Sequence, residues 1–214
     1  MKLIDISVSV NEAIPIYKGN PAYEAQWAMR ISHGDQVNLT CISEGVHTGT
    51  HIDAPYHFIE GGKKIDELPL SSFIANVSVL RCRSKSIGLA DVKRLRIRKG
   101  EGVLFRTKNS ECYNEPFRED FVYLEGEAAA WLAAKGVSIV GIDYLSIDKY
   151  NSPDAPSHHA LLSRNIPIVE GLNLRRVAEG KYTFVCFPVR LEGREAAPAR
   201  AILISPPLPE VRRR

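Results

Sequence analysis

The segment His47-Thr48-Gly49-Thr50-His51-Ile52-Asp53-Ala54-Pro55-Tyr56-His57 constrains the fold more than any other part of the chain. Gly49 and Pro55 interrupt it, and Thr48, Thr50 and Ile52 are β-branched, so it cannot run as a helix. A straight strand of this length would span roughly 33 Å, which holds its ends too far apart to act together. The segment must therefore be extended and bent, with Gly45, Gly49 and Pro55 as bending points. In extended backbone alternate side chains share a face, and His47, His51, Asp53 and His57 all fall on odd positions. His51 and Asp53 lie only about 6–7 Å apart along such a face, close enough to converge on one ion.

Histidine is otherwise scarce. Of the six histidines in the chain, three lie in this segment, two form the pair His158-His159, and His33 stands apart. Neutral imidazole is the commonest metal ligand, and a carboxylate beside it suits borderline or hard divalent ions such as Zn²⁺ or Mn²⁺. A polar loop without a ligand role would not gather half of the imidazoles and a carboxylate at same-face spacing. Thr48 and Thr50 read as ordinary strand residues, with hydrogen bonding to the ligands as the alternative.

The rest of the composition excludes several classes. The net charge is +3, and the basic excess sits partly in Lys93, Arg94, Arg96, Arg98 and Lys99 and in Arg212, Arg213 and Arg214. No aromatic side chains interleave with either run, so both read as solvated surface and no nucleic-acid partner is expected. The 214 residues, 44% hydrophobic and 25% charged, suit one globular domain spanning 1–214. Cys41, Cys82, Cys112 and Cys186 have no C-x-x-C spacing and form no disulfide framework. Cys41, Cys82 and Cys186 lie in apolar stretches and read as small packed hydrophobes. The opening Met1-Lys-Leu-Ile-Asp5 reads as an amphipathic strand and not as a signal peptide. With no apolar run of membrane-spanning length, no membrane partner and a cytoplasmic location are expected.

Hydrophobic patterning predicts strands over 3–10, 25–32, 36–43, 77–83, 102–107, 137–147, 166–174, 182–191 and 199–205. Residues 25–43 read as a hairpin turning at 32–35, and 11–24 as a turn-rich loop. Helices are expected over 89–95, over 125–134 with Gly136 closing it, and over 156–163 with Pro156 near its start. Residues 66–74 suggest a short helix or turn. Many strands with a few helices between them give an α/β or α+β fold.

A search for further ligands leads to the second histidine cluster. His158-His159 is followed by Glu170, which ends the apolar run Ile166-Pro-Ile-Val169. A carboxylate at a strand end is well placed for a site, although most glutamates at such positions face solvent.

The motif His47-x-Gly-Thr-His51-x-Asp53-x-Pro-x-His57 resembles the signature of the cyclase-like metal-dependent hydrolases, the family that includes bacterial kynurenine formamidase and isatin hydrolase. The resemblance extends over essentially the whole chain through Ile14-Pro-Ile-Tyr17-x-Gly-Asn-Pro, Gly141-Ile-Asp143-Tyr-Leu-Ser146 and His158-x-x-Leu-Leu with Glu170-Gly-Leu. It implies a swivelling β/β/α fold with a β-sheet core, assembled as a homodimer or homotetramer. It implies His47, His51 and Asp53 as ligands of one ion. Asp53, His158 and Glu170 would hold a second, with Glu170 bridging and His159 the alternative to His158. The ions would be zinc, with manganese and a single-ion site as the variant. His57 would be left as general acid/base.

The implied reaction is hydrolysis of a non-peptide carbon–nitrogen bond in a small-molecule amide, with N-formylkynurenine the best-fitting substrate. Kynurenine formamidases usually carry a tryptophan where this chain has Tyr17, the residue expected against the substrate's aryl ring. Tyrosine stacks with less area and adds a hydroxyl. A lactam or cyclic imide is the alternative substrate, and a metal-binding protein without turnover is the alternative class. His57 argues against that last reading, since a structural site needs no histidine beyond its ligands. The sequence contains no P-loop, Gly-x-Ser-x-Gly elbow or His-Glu-x-x-His helix to support another enzyme class.

Overall fold

The fold is described from a computed structural model, which covers residues 1–113 and 115–209. Its strands are β1 (Lys2–Asp5), β2 (Glu24–Met29), β3 (Leu39–Ser43), β4 (His51–Asp53), β5 (Ile74–Arg81), β6 (Ser86–Ile87), β7 (Gly102–Arg106), β8 (Tyr123–Leu124), β9 (Val140–Ile142), β10 (Ile168–Glu170), β11 (Gly180–Pro188) and β12 (Ala196–Ser205). Its helices are α1 (Leu89–Lys93), α2 (Gly126–Lys135) and α3 (Pro156–Leu162).

Seven strands close a β-barrel in the order β12-β11-β5-β7-β9-β10-β4, with β4 pairing back onto β12. The wall β5-β7-β9-β10 is parallel and the remaining pairings are antiparallel. Strand β12 serves two neighbours along one edge, pairing with β4 through 196–198 and with β1 through 202–205.

The sequence explains why the parallel wall stands between two cores. Strand β7 reads Gly-Val-Leu-Phe-Arg, an apolar run without polar alternation, because both of its faces are covered. Leu104 points into the barrel with Ile52, Val77, Val169, Phe184 and Leu203. Val103 and Phe105 point outward, where Val140, Ile142 and Ile168 join Leu132 of α2 and Leu161 of α3. On β9 the inward residue is Gly141. A Cβ there would lie 2.7 Å from the Leu104 and Leu172 side chains, so the barrel interior has room only for glycine. The alanine-rich α2 buries Ala128, Ala129, Leu132 and Ala133 and ends at Gly136, whose φ of 70° is the left-handed turn that stops a helix.

The barrel and its flanking helices give the expected mixed α/β fold. Several boundaries differ from the sequence reading. The first strand ends at Asp5, after which Ser7 bridges to Leu172 and the Val8 amide donates to Thr50 Oγ1, so the chain crosses to the barrel mouth. The apolar run 137–147 is strand only over Val140–Ile142, because Leu145 and Ile147 are buried by loop packing and not by a ladder. The run 166–174 is likewise strand only over Ile168–Glu170, and β12 starts earlier than expected because its first residues pair with β4. The hairpin β2–β3 forms as expected but pairs with no other strand among the described residues. Cys41 lies on its exposed β3, so it is not a core residue, whereas Cys82 and Cys186 are buried. Lys93, Arg94, Arg96, Arg98 and Lys99 are exposed, and Arg212, Arg213 and Arg214 lie outside the described residues. Among the described residues no helix is long and apolar enough to cross a membrane.

Candidate metal centre

Strand alternation builds the centre of the site. On β4, Ile52 faces the barrel interior, so His51 and Asp53 face out of it. On β10, Val169 faces inward and Glu170 outward, and the register sets Glu170 directly opposite His51. The three groups therefore share one face of two paired strands, and all are buried.

The bends fall where the sequence places them. Gly49 has φ 65°, and Pro55 opens a 3₁₀ turn over Pro55–His57, so His47 and His57 swing in from the two ends of the short strand. Thr50 fixes the strand's entry: its hydroxyl accepts from the Val8 amide at 2.9 Å and donates to the Gly171 carbonyl at 2.6 Å. Gly171 (φ 70°) packs so closely on Gly49 that an added Cβ would sit 2.0 Å from the Gly49 carbonyl oxygen. His158 enters from α3 and is buried, while His159 is exposed.

The donor atoms converge. His47 Nδ1 lies 3.0 Å and His51 Nε2 3.4 Å from Asp53 Oδ1. His158 Nε2 lies 3.7 Å from Asp53 Oδ2 and 3.3 Å from Glu170 Oε1, and His51 Nε2 lies 3.5 Å from Glu170 Oε2. Each carboxylate thus faces histidines with both oxygens. His51 donates its Nδ1–H to the Gly49 carbonyl at 3.0 Å, which turns Nε2 toward the carboxylates. Yet His51 Nε2 and both Asp53 oxygens are buried at ion-pair distance without a hydrogen bond of proper geometry. A divalent cation held among them satisfies all three, so the residues present fit a metal. Among the described residues two sets have ligand atoms within 4.8 Å of one another: His51, Asp53 and Glu170, and His47, Asp53 and His57. His57 therefore stands within ligand reach as well as at the pocket.

The charges follow from this packing. Burial alone pulls the His51 imidazole down, but Asp53 and Glu170 outweigh it and push it up to about 10. Burial works to raise the Asp53 carboxyl, and the surrounding histidines hold it well below the usual carboxylate range. For His57 burial prevails over the pull of Asp53, so its imidazole is held below the ordinary value and stays neutral more readily.

A pocket of ≈ 230 Å³ opens over the cluster, lined by Tyr17, Asn20, His57, Phe58, Leu145 and Ser146 besides His47, His158 and Glu170. The Tyr17 ring packs against Phe117 at 5.2 Å and Tyr150 at 5.6 Å, which gives one wall an aromatic face. Phe58 stacks on the His158 ring at 4.3 Å.

All seven residues singled out in the sequence are thus brought to one place: His47, His51, Asp53, His57, His158, Glu170 and Tyr17. Sequence reasoning missed Asp148 and Phe58, and gave no role to Asn20, which stands inside the quoted motif after Tyr17. Asp148 carries no spacing signal, because only the turn before α3 sets it against His158. Asp143, inside the quoted Gly141–Ser146 motif, is not at the site. Its buried carboxylate accepts from the amides and hydroxyls of Thr107 and Ser110, and burial pushes it up to about 6 against those bonds.

Comparison with known proteins agrees with this geometry. Residues 4–149 match the Cyclase family model, described as "Putative cyclase". The kynurenine formamidase of Salinibacter ruber (strain DSM 13855 / M31) is 36% identical over 212 residues, covering 98% of this chain and 100% of that protein. A structure described as a predicted metal-dependent hydrolase from Bacillus stearothermophilus superposes with a TM-score of 0.82 at 35% identity, covering 94% of this chain and 97% of that one. An isatin hydrolase bound to the product analogue thioisatinate has the same fold, with a TM-score of 0.84 at 23% identity over 94% of this chain and 91% of that one.

Proposed function

The chain belongs to the cyclase family of metal-dependent hydrolases, and from that premise we propose that it is an arylformamidase converting N-formylkynurenine and water to kynurenine and formate. The observation that carries the reading is the set of buried, unsatisfied donors, His51 Nε2 and both Asp53 oxygens, beneath a pocket with an aromatic wall. His47, His51 and Asp53 would hold one ion, and Asp53, His158 and Glu170 a second. Zinc suits this mixed imidazole and carboxylate set, with manganese the variant. When bound, such ions supply a Lewis acid for the amide carbonyl and lower the pKa of a water at the site.

The chain's own residues supply the rest. Tyr17 forms the wall on which the aryl ring rests, with Leu145 beside it. Once the water oxygen has added to the formyl carbon and the carbon–nitrogen bond breaks, the departing nitrogen needs a proton. His57, half-buried at the pocket and neutral at rest, takes the proton that the attacking water gives up and passes it to that nitrogen, and its depressed affinity for protons favours the second transfer. Glu170 is held by the Ile147 amide, which donates to Oε1 at 2.6 Å and keeps the carboxylate from rotating away.

Residues 1–214 act as a single domain of the swivelling β/β/α kind, working in the cytoplasm as a homodimer or homotetramer. The β2–β3 arm supports assembly: Trp27 and Ile42 are 50% and 62% exposed on one face, and Met29 and Leu39 are exposed on the other. An arm apolar on both faces needs cover on both. Opening of a cyclic amide is the second reading, favoured by Tyr17 in place of the larger tryptophan.

The test is hydrolysis of N-formylkynurenine and of a cyclic amide such as isatin by the purified protein. Fast release of kynurenine supports the proposal. Turnover of isatin alone moves the assignment to the cyclic amide, and turnover of neither overturns both.

A further inference from the structure

We infer that Asp148 is a positioning residue that selects His158 as the second-ion ligand by fixing its ring with Nδ1–H turned away from the cluster. The inference rests on the ligand set proposed above. His158 Nδ1 lies 2.6 Å from Asp148 Oδ2, in a contact where both side chains are almost wholly buried. The same carboxylate accepts from the Ser157 amide through Oδ1 at 2.9 Å and from the His158 amide through Oδ2 at 3.0 Å. One side chain therefore holds the first turn of α3 and the imidazole that projects from it.

A carboxylate only accepts hydrogen bonds, so Nδ1 must carry the proton. Nε2, on the far side of the ring, is then the nitrogen facing Asp53 Oδ2 and Glu170 Oε1. Phe58 stacked on the ring face at 4.3 Å and 26° limits its rotation. The turn leading into the helix also favours a fixed geometry. Ala155 sits at φ 35° and ψ 56°, a left-handed conformation that a residue with a Cβ keeps only when its surroundings impose it. Asp148 supplies that constraint through the two amides that follow. His159, one residue on, is exposed and has no such partner for its ring among the hydrogen bonds of the described residues.

The variant Asp148→Asn separates the two roles. Its amide oxygen can still accept from a helix amide. Its NH₂, presented to Nδ1, would instead favour the tautomer with the proton on Nε2, which cannot bind a metal. Metal affinity is read by competition with a chromophoric chelator, using Zn²⁺ alone and no substrate. Wild-type protein is expected to take up about two ions per chain, and the variant to bind one of them about 10–100-fold more weakly with its circular dichroism unchanged.

A second measurement needs no variant. In the zinc-loaded wild-type protein with ¹⁵N-labelled histidine, the His158 Nδ1 is expected to carry a proton and Nε2 the metal. Wild-type affinity at both sites in Asp148→Asn, or a zinc-bound Nδ1 on His158, overturns the inference while leaving the ligand set standing. Wild-type protein that binds no zinc overturns the ligand set and this inference together.

Discussion

His57 has two roles open to it, and the distances permit both. Its ring lies 4.3 Å from that of His47, within ligand reach of Asp53, yet it also lines the pocket. Proton transfer is the role proposed for it, so His57→Ala should keep its metal and lose about 10²–10⁴-fold in kcat. Metal analysis beside kinetics decides the matter, and loss of an ion in that variant would make His57 a ligand.

The protonation of the cluster makes a separate prediction at the same scale. In the metal-free site His51 is pushed up to about 10, and Asp148, Asp53 and Glu170 raise His158 well above the ordinary imidazole value despite its burial. Both rings therefore hold their protons at neutral pH, and an incoming cation must displace them. Apparent metal affinity should rise with pH through the neutral range, with the His51 contribution ending near 10. Titration calorimetry in buffers of different ionisation enthalpy should show release of about one proton or more per ion near neutrality. Uptake without proton release would contradict the sign of both shifts.

At the scale of elements, the site depends on how closely the segment 47–53 packs on the end of β10. Gly171 is the tightest point, with no space for a Cβ against Gly49 and a φ that disfavours one. Gly171→Ala should therefore push the histidine segment off Glu170. The expected cost is about 1–3 kcal/mol of stability from overpacking, with weaker metal binding. Thermal melts of the metal-free protein and zinc affinity would register the two effects, and an unchanged variant would show that the loops give way freely.

This packing also explains what could be read in advance. The odd-position spacing put His51 and Asp53 on one face because strand geometry is local, and Gly49 and Pro55 marked the bends for the same reason. Leu145 and Ile147 looked like strand residues because burial selects apolar side chains whether a ladder or a loop buries them. Asp148 was invisible because its pairing with His158 is made by the intervening turn, and Asp143, equally acidic and a few residues earlier, went to Thr107 and Ser110 instead.

For the whole molecule, the barrel provides the stiffness and the arm the asymmetry. Strands β4 and β10 are only three residues long, and they hold their register because the closed barrel pairs each on both sides. The hairpin β2–β3 has no such support. It emerges between the pocket residues Tyr17 and Asn20 on one side and His47 on the other, so an assembly through the arm would also steady the pocket mouth. Residues 24–43 approach the about 20–30 residues that each side of a standard interface contributes. Replacing Trp27 and Ile42 together with glutamate should give monomers by sedimentation, with circular dichroism of the barrel unchanged. An assembly indifferent to that change would place the contact elsewhere.

The proposed function requires turnover to depend on cations held by this cluster. The most direct test is to strip the protein with a chelator, add zinc stepwise, and follow N-formylkynurenine hydrolysis at each step in wild type and in Asp53→Ala. Activity should be absent at the start, rise with metal to about two equivalents per chain, and never appear in Asp53→Ala, which should retain no zinc. Full activity in the stripped protein, or in metal-free Asp53→Ala, would contradict the account.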